Sequence, residues 1–234
     1  MYTVCLVEDE VALANIVKTY LERAGYNVIC FTTGKEAIDY IGNKVHLWIL
    51  DIMLGDDING YDVIKQIREH DEDVPVIFTS ARDQELDKIF GLELGSDDYI
   101  TKPYSSKELV LRVNKIIKRV YKDTENTTIK YNNYTIDQEK RLVSINEKEI
   151  KLTTLEFDLL LLFLKNKGKC FSREDILADV WGNDYFGTDR VVDDLVRRLR
   201  KKLKELRIEA VYGYGYRLSW NWEKIILVNN YYQL

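Results

Sequence analysis

Long hydrophobic runs are missing from this chain of 234 residues. The longest wholly apolar stretch, LLLLFL from Leu159 to Leu164, falls far short of the ~20 residues a membrane-spanning helix needs. The N-terminus lacks the charged-then-apolar pattern of a secretory leader, so a cytoplasmic protein without a membrane partner is expected. Cysteine is scarce: Cys5, Cys30 and Cys170 lie far apart and without CxxC spacing. That argues against a disulfide framework and for free thiols in a reducing compartment. With His46 and His70 the only histidines, there is no material for a His-rich zinc site or a Ser-His-Asp triad. No internal repeat and no low-complexity tract is visible.

What is present is an ordinary globular composition, 46% hydrophobic and 31% charged, enough for one or two domains with cores of their own. The two halves differ in charge. Residues 1–120 carry 21 acidic and 14 basic side chains, the remainder 18 and 20, giving −7 and +2. A basic half hints at a polyanionic partner.

Residues 1–120 alternate between two periods. YTVCLV reads as a strand, and EVALANIVKTYLERAG spaces Val11, Ala14, Val17, Leu21 and Ala24 on one helical face before Gly25 ends it. YNVICF, VHLWILD, VPVIFTS and DDYIT follow as strands, with helical stretches near 34–42, 60–70, 83–94 and 106–120. Five βα units without hairpin signals predict an α/β fold, a doubly wound five-stranded parallel sheet of the flavodoxin-like kind. Ligands bind such sheets beyond the carboxyl ends of the strands. With strand order 2-1-3-4-5, the crevice lies between strands 1 and 3.

That placement bears on VCLVEDE, Val4 to Glu10, where an apolar segment runs straight into three carboxylates. Two like charges 4 Å apart repel by roughly 4 kcal/mol at an effective dielectric near 20. Strand 1 ends at Glu8 and Asp9, and strand 3 brings Asp51 to the same edge, so a cation is needed there. Hard oxygen donors without His or Cys favour Mg²⁺, with Mn²⁺ as the alternative. Thr79 and Lys102 end two further strands. A carboxylate with a metal, a hydroxyl and an ammonium around it suits phosphoryl transfer, with Asp51 as nucleophile. Singly, each of these residues is more often a cap or a solvated charge; at four strand ends of one sheet they point together.

LVEDE, WILDIML, FTSA and GSDDYITKPY resemble the receiver domain of two-component response regulators over about residues 2–120. The resemblance implies that Asp51 accepts a phosphoryl group from a sensor histidine kinase. It implies that Asp9, Asp51 and the Met53 carbonyl bind Mg²⁺, with Glu8 acting through water. Thr79 and Tyr99 correspond to the switch pair, Lys102 to the phosphoryl contact, and the Lys102–Pro103 bond is expected to be cis. The loop DIMLGDDINGYD departs from the family: Gly55 replaces a proline, one residue is added before Gly60, and Asp56 and Asp57 stand beside the pocket.

Beyond a polar linker at 121–128 the grammar changes. Residues 129–152 alternate like short antiparallel strands, Thr153 with Glu156 and Ser172 with Asp175 read as capping boxes, and a third helix is predicted from Thr188 to Leu206. That helix carries eight basic and four acidic residues through Arg207, with Arg190, Arg197, Arg198 and Lys201 off its apolar stripe. A glycine-containing hairpin, AVYGYGYRLSW, follows. Helix plus wing suits duplex DNA.

LTTLEFDLLLLFL, SREDILADVWG, RVVDDLVRRLRKKL and GYGYRL resemble the winged-helix domain of OmpR/PhoB-type regulators, so a smaller α+β domain is expected over 129–220. The resemblance implies base reading by Arg198, phosphate contacts from Arg197 and Arg200, and a DNA-contacting position at Arg190. Leu195, Asp194 and Tyr212 depart from the family's usual residues, Tyr212 standing at a common wing arginine. Residues 221–234 form an extension without an assigned role.

The resemblance also implies a homodimer formed on phosphorylation, with Lys88–Glu108 and Asp98–Arg112 pairs crossing between subunits. Promoter DNA and RNA polymerase join the implied partners. Two rivals stay open. One is a phosphorylation-independent regulator with an atypical receiver. The other is a Mg²⁺-dependent phosphohydrolase; such enzymes commonly place a second Asp two residues after the nucleophile, where this chain has Met53, so no enzyme is expected.

Overall fold

The structure, a computed structural model, describes residues 1–55, 57–81, 90–91, 93–121, 128–182, 185 and 189–219. The chain forms two compact units, Met1–Phe157 and Asp158–Leu234.

The first unit opens with β1 (Thr3–Val7), α1 (Val11–Arg23), β2 (Asn27–Phe31), α2 (Gly34–Asp39), β3 (Leu47–Asp51), α3 (Gly60–His70), β4 (Val76–Ser80), β5 (Asp98–Thr101) and α4 (Ser106–Val120). The five strands pair in parallel in the order β2-β1-β3-β4-β5, the order expected from the sequence. The near-continuous apolar strands follow from burial on both faces. Val4, Leu6, Leu47, Ile49 and Ile77 join Val17, Leu21, Leu109 and Val113 in one core, while Cys5, Val7, Trp48, Leu50, Val76 and Phe78 join Val63, Ile64 and Ile67 in the other. Alternate residues of each strand therefore serve opposite cores, as a period of two requires.

Side-chain caps fix where the helices begin. Thr33 accepts from the Glu36 N–H, Asn59 from the Tyr61 and Asp62 N–H groups, and Ser105 from the Lys107 N–H. Helix α2 stops at Asp39, short of the predicted 42, because the chain turns through an Ile41–Asn43 bridge. The helical stretch expected at 83–94 lies for the most part outside the described residues, as do most of the linker and residues 221–234.

The first unit continues with an antiparallel sheet of β6 (Thr128–Tyr131), β7 (Tyr134–Asp137), β8 (Leu142–Ile145) and β9 (Lys148–Ile150) in sequential order. Its turns hold Asn132, Arg141, Asn146 and Glu147 at positive φ. Helix α5 (Thr154–Lys165) begins with the predicted reciprocal contacts, Thr153 N–H to Glu156 at 2.9 Å and Glu156 N–H to Thr153 Oγ1 at 3.5 Å.

In the second unit, β10 (Cys170–Ser172), β12 (Gly215–Leu218) and β11 (Ile208–Val211) form a three-stranded antiparallel sheet in that order. Helix α6 (Arg173–Val180) starts in the Ser172–Asp175 capping box. Helix α7 (Arg190–Lys202) buries Val191, Val192, Leu195, Val196 and Leu199. It ends before the predicted Leu206; Leu203 and Leu206 stay buried but belong to the turn that leads into β11.

Candidate functional site

The carboxyl ends of β1, β3, β4 and β5 bring Glu8, Asp51, Thr79 and Lys102 together, and Asp9 joins them on the solvent side. Carboxylate oxygens of Glu8, Asp9 and Asp51 all lie within 4.8 Å of one another. Glu8 and Asp51 are buried, at 1% and 3% exposure, while Asp9 is exposed. The Lys102 ammonium donates to Asp51 Oδ2 at 2.6 Å and to both Glu8 oxygens at 2.8 Å. The Lys102–Pro103 bond is cis.

The electrostatics follow from burial. Desolvation pushes the Glu8 carboxyl above the usual range, helped by the Asp51 charge and opposed by Lys102. Burial works against the Lys102 ammonium, but its hydrogen bonds to Asp51 and Glu8 outweigh this and raise its pKa. Fully ionised, three carboxylates and one ammonium carry a net charge of −2, the deficit one divalent cation neutralises. The all-oxygen donor set fits a hard ion such as Mg²⁺.

The loop after β3 shapes the rim. The Met53 N–H donates to Asp51 Oδ1 at 2.9 Å, and the Met53 side chain is exposed. Leu54 is buried and Ile58 packs against the α2–α3 core. A Cβ on Gly34 would collide with Ile58, so Gly34 admits the loop against the start of α2. Gly60 has the same kind of role: a Cβ there would strike the Asp51 carbonyl oxygen, so only glycine lets α3 begin so close to the end of β3. Asp56 lies outside the described residues; Asp57 is exposed.

Thr79 is fully buried, and its hydroxyl has no hydrogen-bond partner among the described residues. The Tyr99 ring is buried beside Phe78 in the α2–α3 core. Sequence reasoning missed Tyr104. Its hydroxyl is shielded from solvent beside that of Thr79, and burial, with Glu8 and Asp51 nearby, pushes its pKa up to about 12. The signal was present in TKPY, but an aromatic after Lys-Pro reads simply as core.

On the β5–α4 face, Arg112 donates to Asp98 at 2.8 and 3.1 Å and to Glu108 at 2.8 and 3.1 Å. Asp98 and Arg112, named as a pair between subunits, are thus paired within one chain. Lys88 lies outside the described residues.

In the second unit, burial of Leu195 and its neighbours leaves Arg190, Arg197 and Lys201 on the exposed side of α7, with Arg198 half-buried. Arg197 bonds Asp194 at 3.1 Å. Arg200 is tied down: its Nε and Nη2 donate to the Ile208 carbonyl at 3.1 and 2.6 Å. Asp193 accepts from Arg173 at 2.8 Å and from the Tyr216 hydroxyl at 2.7 Å, and both Arg173 and Arg200 lie over the Tyr216 ring. These contacts, unforeseen from the sequence, lock α7 to α6 and to the hairpin. Tyr216 is therefore a hairpin stabiliser, whereas Tyr212 and Tyr214 project into solvent around Gly213. Among the described residues no helix is long and apolar enough to cross a membrane.

Residues 4–114 match the response regulator receiver domain, and residues 147–218 the C-terminal domain of transcriptional regulatory proteins. Over 221 residues the chain is 52% identical to the transcriptional regulatory protein CssR of Bacillus subtilis, a match covering 93% of this chain and 98% of CssR. It is 34% identical to the response regulator SaeR of Staphylococcus aureus over 221 residues, 92% of this chain and 96% of SaeR. Among solved structures it resembles a RitR mutant (TM-score 0.74, 27% identity, 93% of this chain and 99% of that one). It also resembles DrrB, an OmpR/PhoB homologue from Thermotoga maritima (TM-score 0.51, 28% identity, 94% and 100%). The chain belongs to the OmpR/PhoB family of two-component response regulators, transcription regulators rather than enzymes, which join a receiver to a winged-helix DNA-binding domain.

Proposed function

We propose that Asp51 is the phosphoacceptor of this response regulator and that its modification by a sensor histidine kinase controls binding to promoter DNA. The observation that carries this reading is the Lys102 ammonium, held between Asp51 and Glu8 at 2.6 and 2.8 Å on a rim where Asp9 adds a third carboxylate. An Asp51 carboxylate oxygen attacks the phosphorus of the phosphohistidine. The P–N bond breaks, and the imidazole keeps the electron pair. Lys102 turns from Asp51 toward an incoming phosphoryl oxygen, and Thr79 donates its hydroxyl proton to another. Mg²⁺, held by Asp9, Asp51, the Met53 carbonyl and, through water, Glu8, would supply charge neutralisation for the transferring group. Tyr99 is the partner of Thr79 in the switch.

In this reading residues 1–120 are the receiver, 121–128 the linker, 129–220 the DNA-binding domain and 221–234 an extension. The protein acts in the cytoplasm. Arg198 reads bases in the major groove; Arg190, Arg197, Lys201 and the remaining Nη1 of Arg200 contact phosphates, and Tyr212 meets the DNA at the wing tip. Phosphorylation favours a homodimer through the helical stretch expected at 83–94 together with β5 and α4, Lys88 pairing with Glu108 and Asp98 with Arg112 between subunits, and the DNA-bound dimer engages RNA polymerase.

Mass spectrometry of the full chain after acetyl phosphate and Mg²⁺ tests the central step. A gain of one phosphoryl group, abolished by Asp51→Ala, is expected. An unmodified Asp51 under conditions that label a control receiver would favour phosphorylation-independent regulation. Arg198→Ala should retain salt-dependent DNA binding and lose sequence preference.

A further inference from the structure

The acidic rim contains two hydroxyls that its resting chemistry leaves idle. Thr79 Oγ1 and Tyr104 Oη are both shielded from solvent, and neither has a hydrogen-bond partner among the described residues. Leaving a buried polar group unsatisfied costs about 1–3 kcal/mol, so two of them side by side call for an explanation. They are close enough for the Thr79 hydroxyl to act on that of Tyr104, yet the two lack the geometry of a full hydrogen bond. The Tyr104 ring packs against the α1–α4 core, which keeps its hydroxyl from swinging out to water. Tyr104 also follows Lys102, which is bound to Asp51 and Glu8, by two residues, so the same strand end carries both groups.

Each hydroxyl has one proton to donate and two lone pairs. In the resting site Thr79 has no acceptor for its proton among the described residues. An oxyanion bonded to Asp51 changes this. When Thr79 donates to a phosphoryl oxygen, its lone pairs are set toward the remaining neighbour, and the Tyr104 proton gains an acceptor. The sequence Tyr104 to Thr79 to phosphoryl oxygen satisfies both hydroxyls at once, and bonds linked in this way strengthen one another.

We propose that Tyr104 is a positioning residue of the phosphoryl site: its hydroxyl donates to Thr79 Oγ1 and aims the Thr79 proton at the phosphoryl oxygen. The proposal rests on the reading of Asp51 as phosphoacceptor. It predicts that Tyr104 matters only when an oxyanion is bound, and only through Thr79.

The test titrates the full-length protein with beryllofluoride and Mg²⁺, a non-covalent phosphoryl mimic, and follows the bound fluorines by ¹⁹F NMR. Four proteins are compared: wild type, Tyr104→Phe, Thr79→Ala and the double variant. Tyr104→Phe should weaken binding roughly 2- to 10-fold, the effect of one hydrogen bond, and move the resonance of the fluorine nearest Thr79. Adding Tyr104→Phe to Thr79→Ala should weaken binding no further. Equal losses in both backgrounds, or no loss in either, would overturn the proposal. Because the hydroxyl has no partner among the described residues at rest, Tyr104→Phe should leave the thermal midpoint unchanged or higher, and a lower midpoint would reveal a structural bond and refute the argument. A wild type that binds no beryllofluoride would sink the Asp51 reading itself, a failure distinct from those of the variants.

Discussion

Replacing Asp51 by its neutral isostere should make the receiver more resistant to opening. Asp51 shares its rim with Glu8 and Asp9, carboxylate oxygens lying within 4.8 Å; at an effective dielectric near 20, each such like-charge contact costs about 3.5 kcal/mol. The Lys102 ammonium, 2.6 Å away, offsets about 6 kcal/mol on the same scale. Attraction and repulsion therefore nearly cancel, and desolvation decides the sign. A carboxylate only 3% exposed has lost most of its water, a cost of several kcal/mol. Asp51→Asn keeps an oxygen for the Met53 N–H and leaves Lys102 bonded to both Glu8 oxygens. After allowance for relaxation, a net stabilisation of about 1–3 kcal/mol is expected.

Hydrogen exchange measures this locally. In EDTA, peptides from β1 and β3 of Asp51→Asn should exchange roughly 5- to 140-fold more slowly than those of the wild type, since about 1.4 kcal/mol corresponds to tenfold. Mg²⁺ should raise wild-type protection and narrow the gap, because an ion that binds the folded state stabilises it by mass action. Equal or faster exchange in Asp51→Asn without the metal would refute the claim that the carboxylate destabilises its own fold.

Gly60→Ala should destabilise the receiver by about 1–3 kcal/mol in chemical denaturation, because the added methyl meets the Asp51 carbonyl oxygen, and it should slow acetyl phosphate labelling with it. Asp73 offers a pH prediction: burial, then Asp71, raises its pKa to about 6 against the pull of Arg141. A carboxyl raised in the folded state favours folding below the unfolded value and loses that contribution as pH rises through about 6. Asp73→Asn should therefore flatten the pH dependence of the thermal midpoint between about 4 and 6 and raise the midpoint at pH 7. Asp194→Asn removes a negative charge beside the α7 cations and should strengthen binding to any duplex a few-fold at low salt, sequence preference being kept, in fluorescence anisotropy titrations. Leu111→Asp, on the exposed side of α4, should weaken association of the phosphorylated protein in sedimentation velocity while leaving phosphorylation intact.

The doubly wound sheet was legible because its strands are near-continuously apolar: VCLV and LWIL supply apolar side chains to both faces, and helices on both sides of the sheet are what cover them. The rim followed from the same logic, since the residue after each buried run has to emerge at the strand's carboxyl end. What escaped depends on contacts distant in sequence. Tyr104 reads as one more apolar ring because its hydroxyl acquires meaning only beside Thr79. Arg200 fits the cationic pattern of α7, but its guanidinium is committed to the Ile208 carbonyl, a partner set by how β11 returns along the helix. Leu203 and Leu206 keep helical spacing beyond the helix end because a turn can also point them inward. Periodicity specifies a face; it does not specify the backbone that presents it.

In the proposed dimer, the β5–α4 face would let a buried phosphoryl event reach a distant surface without a large stored energy. In the single chain Arg112 already serves Asp98 and Glu108, the residues proposed to bridge subunits. In the proposed dimer the Asp98–Arg112 pair within a chain is exchanged for the same pair between chains. The Arg112–Asp98 pair is largely buried, its side chains 15% and 10% exposed, so losing one partner would cost several kcal/mol, whereas exchanging it for the same pair across the proposed interface costs only the difference. The balance therefore falls to small terms: the apolar area of Leu111 and the packing of Tyr99, which sits in the same strand as Asp98 and beside the core that Thr79 adjoins. A face balanced so closely responds to a shift of one side chain, which is the property a switch controlled by a single phosphoryl group requires.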